Sequence, residues 1–287
     1  MSLKWFICDP FMRKKILLTV TTYPLPSRSY EELVCTAGIT EDGSWIRLYP
    51  VPLSFLTGLK KHGVVTTTKY TWIELDLVKR TDDFRPESHS PKDYEFKDMI
   101  IGEHWGTENN WALRKEICLQ NVYTNLENLF SQSRAPDNNS LATFKPTKII
   151  SFEVEKDDSD WKPVWQALRQ QLDLFSDTKG MISKKPFPKV PYKFFYKIED
   201  DAGVRSRMMI EDWEIGQLYW KCLRDSNQDE HRAIEKVIEK YDLEFRKNKE
   251  IYLFLGTTKE WHMRRVKNPF VIIGVFYPKK ENQLSLF

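Results

Sequence analysis

The chain has 287 residues, 41% of them hydrophobic and 30% charged, with a formal net charge of +3. That is enough apolar material for a sizeable core and two domains, and too even a charge balance for the whole-molecule field to argue for nucleic acid. The Trp5-Phe6-Ile7-Cys8 patch is broken by Asp9-Pro10, no apolar stretch approaches membrane-spanning length, and Cys8, Cys35, Cys118 and Cys222 are spaced neither as a metal knuckle nor as a redox dithiol, so the expectation is a reduced, cytoplasmic protein with no membrane partner.

In chain order, the first half is expected to be rich in strands. Lys14 to Thr22 contains the apolar run Ile16-Leu17-Leu18-Thr19-Val20; Leu33 to Ile39 leads into the hairpin-type turn Glu41-Asp42-Gly43 and the returning strand Ser44 to Tyr49. Further strands are expected at Lys69 to Lys79 and at Lys148 to Glu155, where Ile150, Phe152 and Val154 alternate with polar residues. Between them lie the charge-rich loop Asp82 to Ser88 and a helical stretch over 111–129. Asp158 or Ser159 caps a helix whose apolar positions run Trp161, Trp165, Leu168, Leu172 and Phe175, and Lys184 to Pro191 reads as an extended Pro/Lys linker.

From Tyr192 the pattern changes to strands, helices, then strands. Lys193 to Ile198 and Arg207 to Ile210 flank the turn Asp200 to Gly203, and a helix follows from Asp212 through Leu223. Asn227-Gln228-Asp229-Glu230 starts a second helix, with Ile234, Val237, Ile238, Tyr241 and Phe245 at helical spacing. Ile251 to Leu255 and Phe270 to Tyr277 close the domain. The fold class is therefore α+β: a β-rich domain over 1–157, a helix and linker over 158–191, an α+β domain over 192–278 and a tail over 279–287.

Chemistry is harder to find. The five histidines stand apart from Cys and carboxylate partners, there is no phosphate-cradling glycine loop and no nucleophile elbow, so no cofactor or metal is expected. Glu95-Phe96-Lys97 with Asp82 or Asp83 has the loose form of a metal-dependent nuclease core, a pattern that a solvated loop explains better. Asp212 and Glu214 suit a helix start. Trp261, Arg264, Arg265 and Lys267 put an aromatic and three cations between the last two strands, a composition suited to base and phosphate contacts and also common at a soluble hairpin tip.

The chain ends on Gln283-Leu284-Ser285-Leu286-Phe287, and a near-copy, Gln171-Leu172-Asp173-Leu174-Phe175, lies inside it. Both resemble the bacterial sliding-clamp-binding motif, in which Gln anchors the backbone and the apolar residues fill a cleft on the ring. Burying Leu284, Leu286 and Phe287 would yield about 5–8 kcal/mol gross, most of it offset by ordering the five residues, as suits a reversible recruitment tag. The alternatives are a tail folded back as an edge strand and an internal copy buried as a helix end. Were both exposed, one chain could engage two clefts of an oligomeric ring.

Cys35-Thr36-Ala37-Gly38-Ile39 with Gly43-Ser44-Trp45-Ile46-Arg47 resembles the opening hairpin of a bacterial dual OB-fold family associated with nucleic acid. The resemblance implies small five-stranded barrels, with Trp45 and Arg47 on one face of their strand as candidate contacts. The expectation is an accessory protein of DNA replication or repair, with the clamp and DNA as partners. A clamp-recruited nuclease and a clamp-targeting regulator or defence protein are the alternatives.

Overall fold

Both faces of strand β1 (Phe11–Thr21) are apolar over Ile16, Leu17, Leu18 and Val20, and this double burial decides how the two halves of the molecule meet. The computed structural model describes residues 11–23, 25–26, 32–52, 68–161 and 188–280. After β1 come β2 (Leu25–Pro26), β3 (Glu32–Thr40), β4 (Trp45–Pro52), β5 (Thr71–Lys79), β6 (Ser88–Pro91) and β7 (Ile100–His104). Five strands close a barrel in the order β1-β3-β4-β6-β5 and back to β1, with β4 and β6 parallel and the other pairs antiparallel. This is a small OB-like barrel, extended by β2 on β3 and β7 on β5.

Alternation fills the barrel lumen with Ile16, Leu18, Ile46, Leu48, Ile73, Leu75 and Leu77. A bulge between Leu18 and Val20 resets the alternation, so Val20 joins Leu17 on the outer face. Gly38 marks the closest approach of β3 to β1: a Cβ there would lie 2.4 Å from Ile16 Cγ2 and 2.5 Å from the Leu17 carbonyl oxygen. The expected hairpin turn forms, with Gly43 at φ +77°, a conformation that glycine adopts without steric cost.

The helix expected over 111–129 is broken in two. Helix α1 (Glu108–Cys118) ends at Leu119, β8 (Val122–Tyr123) intervenes, and α2 (Leu126–Gln132) starts on Asn125, whose side chain accepts from Asn128 N at 3.0 Å. Then follow β9 (Leu141–Phe144), β10 (Lys148–Lys156), β11 (Tyr192–Glu199), β12 (Arg205–Met209), α3 (Trp213–Asp225) and α4 (Glu230–Ile238). A π-helical turn (Glu239–Glu244) leads to α5 (Phe245–Asn248), and β13 (Tyr252–Thr257), α6 (Lys259–Met263) and β14 (Phe270–Phe276) complete the described chain. Asp212 caps α3, accepting from Glu214 N, and Asp229 caps α4, accepting from Arg232 N.

The sheet β14-β13-β9-β8 is the middle layer of the molecule. Leu253, Leu255 and Ile272 face a core shared with β11, α3 and α4, while Phe254, Val271 and Ile273 face the outer wall of the barrel. Burial on both faces explains why Tyr252–Thr257 and Phe270–Phe276 read as continuous apolar runs instead of alternating ones. The remaining sheet, β10-β11-β12, belongs to the second half. β9 and β10, which precede residue 157 where the first domain was expected to end, therefore pair with strands beyond it, and only this long-range pairing separates them from the barrel strands.

Cys118 and Cys222 are buried and unpaired, and burial pushes the Cys118 thiol up to about 12, far from a reactive thiolate. Among the described residues no helix is long and apolar enough to cross a membrane.

Candidate nucleic-acid interface

Arg47 is a correction to the expectation from sequence. Its strand alternation does place it beside Trp45 on the outer face of β4, but that face is covered by the second half, and Arg47 is only 6% exposed. The guanidinium donates to the Thr257 carbonyl at 3.2 Å and to Ser140 O and Oγ at 3.2 and 3.0 Å. Arg85 donates to the same Thr257 carbonyl at 2.8 Å and grips Asp83 through Nε and Nη2 at 2.9 and 2.6 Å. Glu87 accepts from Ser140 N at 2.7 Å, Ser140 Oγ at 2.8 Å and Leu141 N at 3.2 Å. Arg47 and the loop after β5 are thus tied to β9 and β13 by a buried polar network, in which each charge has fixed partners.

The network also fixes the titration of its members. Burial alone would raise the Asp83 carboxyl, but the hydrogen-bonded Arg85 guanidinium outweighs it and holds the group well below the ordinary carboxylate range. His262 reaches the Ser133 carbonyl through Nε2, which must therefore carry the proton, so Nδ1 accepts from Thr257 Oγ1 at 2.9 Å. Burial lowers the His262 pKa, and this neutral tautomer is the one the pairing requires.

Buried His262 anchors the first turn of the candidate interface. Thr258 caps α6, its side chain accepting from Trp261 N at 3.3 Å, and the helix carries Trp261 (38% exposed) and Met263 (58%) on the open side of His262. Arg265 has φ +51°, a left-handed residue that turns the chain out of the helix and leaves Arg264, Arg265 and Lys267 exposed. Arg264 pairs with Glu260 at 2.7 Å, an exposed pair that ordinary salt screens. Phe84, 43% exposed, stands edge-on to His262 with ring centroids 4.9 Å apart.

Beside them lies a cavity of about 430 Å³ whose walls include Phe84, Arg134, Asn138, His262, Arg265 and Val266. A part-exposed aromatic ring, amide and hydroxyl groups and two guanidinium groups on a hydrogen-bonded floor can stack a base and hold phosphate. The predicted residues Trp261, Arg264, Arg265 and Lys267 are each exposed, and of the four only Arg265 lines this cavity; Trp45 does not join them. Trp45 is half-buried, edge-to-face with Phe254 at 5.2 Å, and borders a second cavity. Phe84 and Arg134 carry no sequence signal of a site, because only the fold brings their loops to α6.

The loose nuclease pattern is not assembled. Asp83 is committed to Arg85, Asp82 pairs with Arg80, and Glu95 pairs with Lys97 on the surface. Among the described residues no three His, Cys, Asp or Glu side chains are grouped to hold a metal ion. Both clamp-type peptides, 171–175 and 283–287, lie outside the described residues. Their attachment points do not. Lys156 and Tyr192 are paired across β10 and β11, so the chain leaves and re-enters at one hairpin end. At the other end, Asn110 brackets Lys279, donating to its carbonyl at 3.0 Å and accepting from its N–H at 2.8 Å, and Lys280 Nζ donates to the Lys247 carbonyl at 2.7 Å.

The halves seen in the sheets correspond to two sequence families. Residues 12–120 match the domain of unknown function DUF8758, which covers the barrel, β7 and α1, and residues 123–287 match the domain of unknown function DUF8757. The chain belongs to the DUF8757 family. The junction between the two matches falls beside β8, the first strand of the middle sheet, and DUF8757 contains every strand of both later sheets except Val122 of β8. No protein of the curated set matches the chain. A solved structure described as a murine DNA binding protein bound with double-stranded DNA aligns over 95% of this chain and 98% of that one, at 10% identity and a TM-score of 0.31, a score at which the likeness carries no argument about fold or function.

Proposed function

We propose that this DUF8757 protein is an accessory factor in DNA transactions that binds a single strand of nucleic acid on the face formed by α6, the 264–269 turn, Phe84 and Arg134. The observation that carries this is the exposed set of Trp261, Phe84, Arg264, Arg265 and Lys267 mounted over a buried, hydrogen-bonded floor. Exposed aromatic faces gain from base stacking, about 1–3 kcal/mol per base, and mixed cations follow the backbone without reading sequence. Recruitment is assigned to the peptides at 171–175 and 283–287, which resemble the clamp-binding motif. The support for this is the firm anchoring of the chain at Lys279 and Lys280 just before the terminal copy, and the attachment of the internal copy at a hairpin end, where an insertion leaves the sheet intact.

The test has two arms. A labelled single-stranded oligonucleotide should bind the protein with an affinity that falls steeply with salt. Purified bacterial clamp should bind the full chain, and removal of the residues after Asn282 should abolish most of that binding. Clamp binding with no DNA affinity would favour the second reading, a regulator that competes for the clamp cleft, a role that two motif copies would serve. Binding to neither partner would overturn both.

A further inference from the structure

A second cavity, of about 500 Å³, lies where the β3–β4 hairpin meets β8 and β9. Its chemistry differs from that of the basic face. The Trp45 ring forms one wall and Leu141 and Ala142 another, while Asn121, Asn139 and Lys14 bring polar groups to the same space. The hairpin tip closes it: Gly43 is packed so tightly on Gln120 that a Cβ would lie 2.2 Å from Gln120 Oε1. The nearby carboxylates are already engaged, Glu87 by Ser140 and Leu141, and Asp42 by Thr40 and Ser44. Among the described residues the Asn121 amide and the half-buried Lys14 ammonium have no hydrogen-bond or ion-pair partner. Asn139 uses its Nδ2 on Gln132 at 3.3 Å, which leaves its amide oxygen as an acceptor.

We propose that this cavity is a recess for one nucleobase, stacked on Trp45, addressed along its edge by the Asn121 and Asn139 amides, with Lys14 beside its phosphate. This rests on the nucleic-acid reading above and deepens it. A planar heterocycle with adjacent donors and acceptors suits an aromatic wall flanked by side-chain amides, and asparagine matches the paired donor and acceptor of adenine. The volume suits a whole nucleotide, since small-molecule sites span about 300–1,000 Å³. Position favours a base delivered from the strand on the basic face. Asn138 lines the first cavity and Asn139 the second, and Phe84 lines the first while Pro86 and Glu87 line the second. Consecutive Cα atoms are about 3.8 Å apart, so the 138–139 backbone links the two linings, and the recess would take one unstacked base of a strand bound at the basic face.

The experiment compares wild-type protein with Asn121→Ala, Trp45→Ala and Arg265→Ala in anisotropy titrations of a single-stranded oligonucleotide and of the same length of abasic strand. Asn121 is exposed and should leave thermal unfolding unchanged, which covers the case in which Trp45→Ala, stripped of its contact with Phe254, fails to fold. Asn121→Ala should weaken binding of the base-bearing strand roughly tenfold and leave the abasic strand unaffected, whereas Arg265→Ala should weaken both. If Asn121→Ala and a folded Trp45→Ala bind both strands like wild type while Arg265→Ala is impaired, the recess is wrong and the basic face stands. If no strand binds, the basic-face reading fails, and saturation-transfer NMR with adenosine monophosphate decides the recess alone. A signal lost in Asn121→Ala supports a free-nucleotide site, and no signal in wild type overturns it.

Discussion

The chain holds two tryptophan and arginine groupings of nearly the same composition, and the fold treats them oppositely. Trp45 and Arg47 sit two residues apart on β4, and Trp261 and Arg265 one turn apart at the end of α6. The first pair faces a middle sheet that covers it, so Arg47 becomes a tie between the halves and Trp45 a cavity wall. The second sits on and just after a helix of five residues whose buried member, His262, is held from both ring nitrogens, and both Trp261 and Arg265 are left exposed. Local alternation says which side chains share a face. Whether anything covers that face is a long-range property, set by pairings of residues some 100–200 positions apart.

The largest test of this contrast is Arg47→Met. Removing a buried charge takes one donor from each of the Ser140 and Thr257 carbonyls, which keep the Thr257 N–H and Arg85 respectively, and leaves Glu87 and Arg85 in an unbalanced network, so stability to urea should fall by about 3–5 kcal/mol with DNA affinity of the folded fraction preserved. Next is Asp83. Its folded-state pKa lies below the ordinary carboxylate value, so the pairing with Arg85 stabilises the fold fully above that value, and the stability is lost as pH falls from it toward the depressed folded value. Asp83→Asn should therefore cost about 2 kcal/mol at neutral pH and flatten the acid limb of a stability profile measured by denaturant at successive pH values. On the open side, replacing Arg264, Arg265 and Lys267 together by Ala should change stability by less than about 0.5 kcal/mol, because none of the three is buried. Smallest of all, a chain stopped after Asn282 should melt at the wild-type temperature by calorimetry while losing affinity for the clamp.

Much of the architecture was legible in the sequence. The apolar and β-branched runs marked β1, β3, β4 and β5, the Glu41-Asp42-Gly43 turn marked its hairpin, and the polar starts at Asp212 and Asp229 marked the helices they cap. The helix expected over 111–129 failed for local reasons: Asn109, Asn110 and Trp111 take positive φ at its start, and Asn125 begins a new helix. β10 lies before the boundary expected at 157 and pairs with β11 beyond it, a non-local pairing that its alternation does not announce. The closure of β1 on β5 gave no local signal for the same reason. At the interface, Trp261 and Arg264 to Lys267 were visible as a composition. Phe84, Arg134 and the burial of Arg47 were not, because each depends on a partner from a distant loop.

The most direct measurement is the affinity of a labelled single-stranded oligonucleotide, read by anisotropy over a range of salt, for wild-type protein and for the Arg264→Ala, Arg265→Ala, Lys267→Ala variant. Each lost phosphate contact removes about 0.7 from the logarithmic salt slope, so the variant should bind more weakly with a slope reduced by about 2 while its unfolding curve is unchanged. Equal affinity and equal slope in the two proteins would contradict the assignment of this face to nucleic acid.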